Sequence, residues 1–303
     1  MQKLIECVPN FSEGRRVGVV ERLCDTISSV ETACVLDMHI DADHNRSVIT
    51  FVASPEQVVE AAFRAVSVAT QLIDMRVHQG VHPRLGATDV LPFVPLNGVA
   101  MADCVLLAHQ AGNRIASELG IPVFFYERAA LRPDRVNLED VRRGALELLR
   151  EQIATEPTRA PDVGPLQVHN PAGAIAVGAR TFLIAFNINL ATRDVAIAHT
   201  IARTVRARSG GLPFLKALGF ELSTRGLAQV SMNLVNYEET GMTQAYEAVH
   251  REAQRLGVEI ASTEIVGLVP QAALDRDAEY FAKLETFSEE KVLEYRLRKF
   301  DKL

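Results

Sequence analysis

Residues 48–94 read VITFVASPEQVVEAAFRAVSVATQLIDMRVHQGVHPRLGATDVLPFV, and this stretch decides the fold. Its apolar pattern predicts a strand, then one amphipathic helix over 55–75, then a polar loop over 77–89 and a short buried strand over 90–94. The loop holds two histidines, one arginine and two glycines, and little that could add to a core. A connection this polar between two apolar elements is a usual place for a rigid scaffold to display chemistry.

The same reading, extended outward, gives a repeated order of elements. Residues 4–94 predict strands and helices in the order β-α-β-β-α-β, and residues 182–269 predict that order again. This is the split βαβ, or ferredoxin-like, arrangement. We therefore predict an α/β (α+β) fold with two tandem ferredoxin-like subdomains, each a sheet covered by helices.

Domain boundaries are predicted from the segments around the two units. Helices over 101–119 and 138–153 and a strand over 122–126 extend the first unit, which gives an N-terminal subdomain over 1–153. Residues 154–173 contain four prolines and little periodicity, so they are predicted to be a linker. The C-terminal subdomain is predicted over 174–303, opening with a hairpin whose strands are 174–177 and 182–190 and whose turn is 178–180.

Composition limits the function classes. The 303 residues are 48% hydrophobic with a formal net charge of -6, and no basic run marks a nucleic-acid surface. The four cysteines show no paired metal spacing or disulfide framework, which predicts reduced thiols. No apolar run is long enough to span a bilayer, and the first residues lack a secretion signal. We expect a cytoplasmic protein that acts on small molecules, not on nucleic acid or membranes.

Polar clusters follow or precede several predicted strands, at 10–14, 41–46, 82–84 and 208–213. Histidine can serve as acid and base near neutral pH, and arginine binds carboxylates through a bidentate fork. His82 is thus a candidate acid-base group, and Arg46 and Arg84 are candidates for carboxylate recognition. Whether the clusters meet depends on the sheet ends at which they lie, which the sequence leaves open.

Two metal-site interpretations compete with this one. His78 and His82 are four residues apart, but Gly80 and Pro83 oppose the helix that would place both imidazoles on one face. Residues 41–44 read Asp-Ala-Asp-His, which suits a cation or, more often, a turn capped by its own aspartates. The residues alone therefore indicate an α/β enzyme with histidine acid-base chemistry and an anionic substrate.

The chain resembles the formiminotransferase family, the tetrahydrofolate-dependent glutamate formimidoyltransferases of histidine breakdown. No block matches the cyclodeaminase portion to which the animal domain is fused, so we expect the stand-alone form. Six blocks spaced over nearly the whole chain carry the resemblance, at 6–14, 45–48, 82–90, 178–180, 182–190 and 227–234.

The resemblance implies transfer of the formimidoyl group from N-formimidoyl-L-glutamate to N5 of tetrahydrofolate, in a homodimer that binds the folate in a groove between its subdomains. The general acid-base histidine of the family falls on His82. The expected substrate contacts are Arg84, Arg46, Asn45, Asn10 and His44. The expected folate contacts are Gly164, Pro165, Leu166, Gln167, Val168, His169, Asn170, Pro171, Ala172, Gly173, Leu215 and Lys216. No metal is expected.

This chain departs from the family pattern beside the histidine. Many relatives have glutamate immediately before it, where this chain has Val81. Without that carboxylate, a nearby negative charge that favours imidazolium is missing. The stretch 208–216 also matches the animal form poorly.

Three other functions stay open at this point. The first is formyl transfer from N-formylglutamate by the same residues. The second is a non-catalytic module that binds folate or another ligand, including RNA. The third is a metal hydrolase built on Asp41, Asp43, His44 and His82.

Overall fold

The computed structural model describes residues 3–278 and 288–300 and divides the chain into two compact units between Thr181 and Phe182. The strands of the first unit are β1 (Ile5–Cys7), β2 (Asn10–Phe11), β3 (Cys34–Asp41), β4 (Arg46–Ala53), β5 (Thr88–Pro95), β6 (Val123–Glu127) and β7 (Ile175–Ala179). Its helices are α1 (Val17–Ser28), α2 (Val58–Leu72), α3 (Met101–Leu119), α4 (Leu138–Val141) and α5 (Ala145–Gln152).

The first sheet contains the predicted ferredoxin-like order. β1 and β2 are two parts of one inner strand, since both pair antiparallel with β4 on one side and β5 on the other. The strand is interrupted at Val8 and Pro9, where proline has no N–H to give to the ladder. β3 pairs with the outer side of β4, which completes the predicted four-strand arrangement. The predicted fold class is confirmed for this unit.

β7 and β6 extend this sheet beyond β5, both in parallel. The predicted hairpin of strands 174–177 and 182–190 is therefore wrong, and the first unit takes in both residues 154–173 and β7. The turn predicted at 178–180 is wrong as well, because Gly178 lies inside β7. A Cβ there would come within 2.5 Å of the Tyr126 ring, so glycine is needed for close packing.

The two faces of the first sheet are covered by different helices. α1, α2 and α3 pack on one face over a core that includes Ile5, Phe51, Leu91, Phe93 and Val177. A smaller core on the other face joins Phe124, Tyr126, Ala176, Val141 and Leu149, the last two from α4 and α5. Among the described residues, no helix is both long and apolar enough to cross a membrane.

The second unit has one antiparallel sheet in the order β11-β8-β10-β9, the ferredoxin-like order that the sequence predicts. Its strands are β8 (Ile184–Leu190), β9 (Leu215–Leu222), β10 (Leu227–Leu234) and β11 (Ile260–Val266). Its helices are α6 (Val195–Val205), α7 (Met242–Arg255), α8 (Gln271–Arg276) and α9 (Leu293–Phe300). α6 and α7 bury their apolar faces against Phe186, Ile188 and Val230 of the sheet. The fold class is confirmed here too.

The close contact at Gly178 predicts a stability change. Gly178→Ala should lower the free energy of unfolding by about 1–3 kcal/mol, because the added methyl group must displace the Tyr126 ring. Gly18→Ala in α1 is the matched control: nothing lies within 4 Å of its Cβ position, so alanine should be neutral or stabilise by up to about 1 kcal/mol. Urea unfolding of both variants measures the difference, and equal midpoints would contradict the packing role.

Candidate active site

Three of the predicted polar clusters meet at one end of the first sheet. Asn10 lies on β2, between Val48 of β4 and Val90 of β5 in register. Because both neighbours run antiparallel to β2, the sheet end at which β2 stops is the end at which β4 and β5 start. Arg46 is the first residue of β4 and Asp89 the second of β5, so strand direction alone brings these side chains together. The fourth cluster, 208–213, lies in the second unit.

Asn45 joins the three loops. Its backbone is in the left-handed region, with φ of 47°, which asparagine tolerates better than most residues. Its Oδ1 accepts from the Gly14 N–H over 3.0 Å, and its Nδ2 donates to the Gln79 carbonyl over 2.9 Å. A Cβ at Gly80 would lie 2.3 Å from the His44 carbonyl, so the loop of the histidines packs backbone to backbone against the loop of Asn45.

Arg46 is the centre of the polar network. Its Nε and Nη2 donate to Asn10 Oδ1 over 3.1 and 2.6 Å, and its Nη1 donates to Asp89 Oδ2 over 2.7 Å. The same Nη1 lies 2.9 Å from His82 Nδ1. Asp89 also accepts from the Leu85 N–H over 2.9 Å and from Arg142. The guanidinium is thus held in a fixed plane beside the imidazole.

Two arginines share one buried carboxylate in this network. Burial acts to raise the pKa of Asp89, but the guanidiniums of Arg142 and Arg46 outweigh it and hold that pKa below its usual value. Burial lowers the pKa of Arg46 to about 10, with Arg142 adding to the effect and Asp89 opposing it. Both groups are charged at neutral pH, and the local field is positive.

That field acts on His82. Burial and the positive charges of Arg46 and Arg142 lower its pKa well below the usual histidine value, although a hydrogen bond to the Pro83 carbonyl opposes the shift. The imidazole is therefore neutral at pH 7. It can accept a proton there, and once protonated it is a stronger acid than an ordinary imidazolium.

His44 lies beside His82, with ring centroids 6.0 Å apart. Asp41 Oδ1 accepts a hydrogen bond from the backbone N–H of His44 over 2.8 Å, and it lies 3.0 Å from the ring atom Nδ1 of His44. This is the geometry of an aspartate that caps its own turn, which was the favoured interpretation of residues 41–44. Asp41, Asp43 and His44 are all buried.

Arg84 links the loop of His82 to α5. Its guanidinium makes a bidentate pair with Glu147, over 2.9 and 2.8 Å, and its Nε donates to His78 Nδ1 over 3.2 Å. Because arginine can only donate, His78 Nδ1 accepts and its Nε2 carries the proton, which is donated to the Asn45 carbonyl over 2.9 Å. The Glu147 side chain is 59% exposed, in contrast to the buried Asp89.

The end of the predicted linker packs against the segment that follows His82. The Ala87 N–H donates to the Ala172 carbonyl over 2.8 Å, and the Ala174 N–H donates to the Leu85 carbonyl over 2.9 Å. This backbone pairing places residues 169–174 next to the loop in the first unit. Leu215 and Lys216 lie on β9 of the second unit, where the Leu215 side chain is buried in the core.

Sequence reasoning missed three residues of the network. Asp89 carried a signal, since it is a charged residue at the head of a strand predicted to be buried. Arg142 and Glu147 carried none, because an isolated charge in a helical region is usually a solvated surface group. They reach the site only through the packing of α4 and α5.

Comparison with known proteins agrees with the resemblance seen in the sequence. A model of the N-terminal subdomain of the formiminotransferase domain matches residues 4–180, and a model of the formiminotransferase domain matches residues 185–298. The chain belongs to the formiminotransferase family. The boundary between the two matches falls where the structure divides the chain.

Relatives of known name cover nearly the whole chain. It is 49% identical to the glutamate formimidoyltransferase of Thermoplasma acidophilum over 298 residues, which is 98% of each chain. It is 46% identical to the glutamate formimidoyltransferase of Streptococcus pyogenes serotype M1, over 95% of this chain and 96% of the relative. It is 44% identical to the formimidoyltransferase-cyclodeaminase of Rattus norvegicus, over 98% of this chain and 56% of that protein.

The shared carboxylate predicts a large effect of Asp89→Asn on stability. Removing one partner of a buried ion pair leaves Arg46 and Arg142 uncompensated, which should cost about 3–5 kcal/mol of unfolding free energy. Asp134→Asn, which breaks the exposed pair with Arg132, should cost less than about 1 kcal/mol. Chemical denaturation of the two variants makes the comparison, and similar losses would count against a buried network.

The missing carboxylate at Val81 predicts a pKa change. Val81→Glu should raise the pKa of His82, because the new negative charge favours imidazolium. Val77→Glu is the control, since Val77 is 75% exposed and precedes His82 by five residues. An NMR titration of the ring signals measures both variants. An unchanged or lowered His82 pKa in Val81→Glu would contradict the electrostatic account.

Proposed function

We propose that this chain transfers the formimidoyl group from N-formimidoyl-L-glutamate to N5 of tetrahydrofolate, giving 5-formimidoyltetrahydrofolate and glutamate. One observation carries the proposal: His82 lies in one of the sequence blocks that resemble the family and is 2.9 Å from Arg46, and burial together with the charges of Arg46 and Arg142 lowers its pKa, so that the neutral imidazole is the resting form. A group that takes a proton from one nitrogen must begin unprotonated, and its protonated form must then release the proton to the other nitrogen.

The proposed reaction moves one proton between two nitrogens. N5 attacks the formimidoyl carbon, and a tetrahedral intermediate forms. His82 Nε2 takes the proton that N5 loses, and the imidazolium then gives it to the leaving glutamate nitrogen. For Nε2 to be free as a base, Nδ1 must carry the ring proton, and the Pro83 carbonyl lies 2.7 Å from Nδ1 to accept it. Such acid-base assistance is typically worth about 10²–10⁴ in rate.

We propose that Arg84 and Arg46 bind the carboxylates of the donor. Arg84 supports this because its present partner, Glu147, is largely exposed and can be exchanged for a substrate carboxylate at low cost. The Arg46–Asp89 pair is buried, so we propose that Arg46 offers a hydrogen outside that pair, such as the Nη1 hydrogen that faces His82. Substrate contacts by Asn10, Asn45 and His44 stay predictions, and the two asparagines already hold the loops in place.

For the folate, we propose contacts with residues 164–173, with the backbone of Leu215, whose side chain is buried, and with Lys216. The packing of residues 169–174 against Leu85 and Ala87 supports the first of these, because a ligand of that segment would lie near the loop of His82. The chain is proposed to act as a homodimer in the cytoplasm. The four free cysteines are compatible with a reducing compartment.

Turnover with tetrahydrofolate and N-formimidoyl-L-glutamate tests the proposal, with product read after acid treatment as methenyltetrahydrofolate. His82→Ala should lower kcat by about 10²–10⁴ with the fold intact by circular dichroism. His250→Ala, on α7 of the second unit, should keep parental activity. If the folded parent binds folate but uses only N-formylglutamate, the proposed donor is wrong. If the parent binds no folate, the proposed function is wrong.

A further inference from the structure

One ring nitrogen of His82 faces two groups that make opposite demands on it. Nδ1 lies 2.9 Å from Arg46 Nη1, which can only donate, and 2.7 Å from the Pro83 carbonyl oxygen, which can only accept. Nδ1 of a neutral imidazole is either a donor or an acceptor. Each tautomer of His82 therefore satisfies one neighbour and opposes the other.

In the ligand-free site, the partners of Arg46 hold its guanidinium in this contact. Asn10 holds its Nε and Nη2, and Asp89 holds its Nη1, so three of the hydrogen bonds of the guanidinium are made to fixed groups. Asp89 is in turn fixed by the Leu85 N–H and by Arg142. Of the two hydrogens that remain on the guanidinium, the one on Nη1 is directed toward His82.

The two demands differ in strength. A hydrogen bond from a cationic donor is roughly twice as strong as a neutral one. A proton on Nδ1 would also point its positive end at the Arg46 charge, whereas a lone pair on Nδ1 opposes only the dipole of the Pro83 carbonyl. The resting enzyme therefore favours a lone pair on Nδ1 and a proton on Nε2.

That form is not the base that the proposed reaction needs. With a proton already on Nε2, His82 can donate a hydrogen bond to the substrate but cannot take the proton of N5. The basic form has its proton on Nδ1, from which the Pro83 carbonyl can accept a hydrogen bond. Catalysis thus requires another group to accept the hydrogen bond that Arg46 Nη1 donates to His82 Nδ1.

We propose that Arg46 and the Pro83 carbonyl form a tautomer switch on His82, which a substrate carboxylate moves to the basic form by accepting the Arg46 Nη1 hydrogen. The inference rests on the proposed function and makes Arg46 a positioning residue. One proton leaves Nε2 to water while another from water adds to Nδ1, so charge and atoms balance and no other reactant is needed.

The charged surroundings keep the ring neutral in both positions of the switch. The charged and titratable groups that act on His82 include Arg46 on β4, Arg142 after α4 and His44 at the β3–β4 connection. Asp89 on β5 and Tyr126 on β6 act on Arg46, and Asp41 at the β3–β4 connection acts on His44. Two of these groups carry fixed positive charge beside the ring, so the tautomers exchange without a populated imidazolium.

Long-range proton–nitrogen NMR of histidine-labelled protein tests the switch, since its cross-peak pattern identifies which ring nitrogen carries the proton. The His82 signals are assigned by their loss in His82→Asn. In the parent alone we expect the proton on Nε2. Saturating glutarate, a dicarboxylate with no group to transfer, should move the proton to Nδ1.

Arg46→Met should show the Nδ1 form without glutarate, since the cationic donor is gone. Arg46→Lys keeps the charge without the fork and should give a mixture. The matched control is Arg64→Met on α2, which removes an exposed ion pair with Glu60 and should leave the His82 pattern unchanged with and without glutarate. If Arg46→Met does not fold, the test uses the position of the His82 ring proton in Arg46→Lys and in the parent with and without glutarate.

Three results would overturn the switch: an Nδ1 proton in the resting parent, an Nε2 proton that persists in Arg46→Met, or no change in His82 at any glutarate concentration. Turnover separates this from the proposed function. A parent that transfers the formimidoyl group while His82 fails these criteria loses the switch alone.

The kinetic readout uses formamidine, a donor that carries no carboxylate. The parent should turn it over at a kcat lowered by roughly tenfold or more, and added glutarate should restore part of the rate. Arg46→Met should show no response to glutarate. A purely structural role of Arg46 would lower activity with every donor and give no such response.

Discussion

The ion pair between Arg46 and Asp89 is the contact on which the site depends. Asp89 is buried, and a buried charge is costly unless it is paired and hydrogen-bonded. Arg46 satisfies that requirement and also holds Asn10 and faces His82, so three strands and their loops are positioned by one guanidinium. The site can therefore lie at a sheet end, where connections are usually mobile, and still be well ordered.

The fold was largely predictable, because apolar periodicity reports which faces of strands and helices are buried. The failure at residues 174–190 has a physical cause. Gly178 looks the same in the sequence whether it turns the chain or admits the Tyr126 ring, and only the parallel pairing of β7 with β5 and β6 distinguishes the two. Long-range strand pairing leaves little trace in local composition, so the division after Thr181 was also missed.

The candidate site was predictable in its residue types but not in its connections. His82, Arg46 and Arg84 stood out because their chemistry is unusual in a loop. The sequence could not show that Arg84 is paired with Glu147 or that Arg142 completes the shell of Asp89. Those contacts join positions more than 50 residues apart, and they exist only because α4 and α5 cover the second face of the sheet.

The backbone pairing between residues 85–87 and 172–174 affects how the protein unfolds. The amide hydrogens of Ala87 and Ala174 are tied into this pairing among buried residues, so their exchange with deuterium requires a large opening and not loop fraying. The segment that follows His82, residues 85–87, thus belongs to the same cooperative unit as the sheet core. Heat should therefore release this segment only when the sheet of the first unit unfolds.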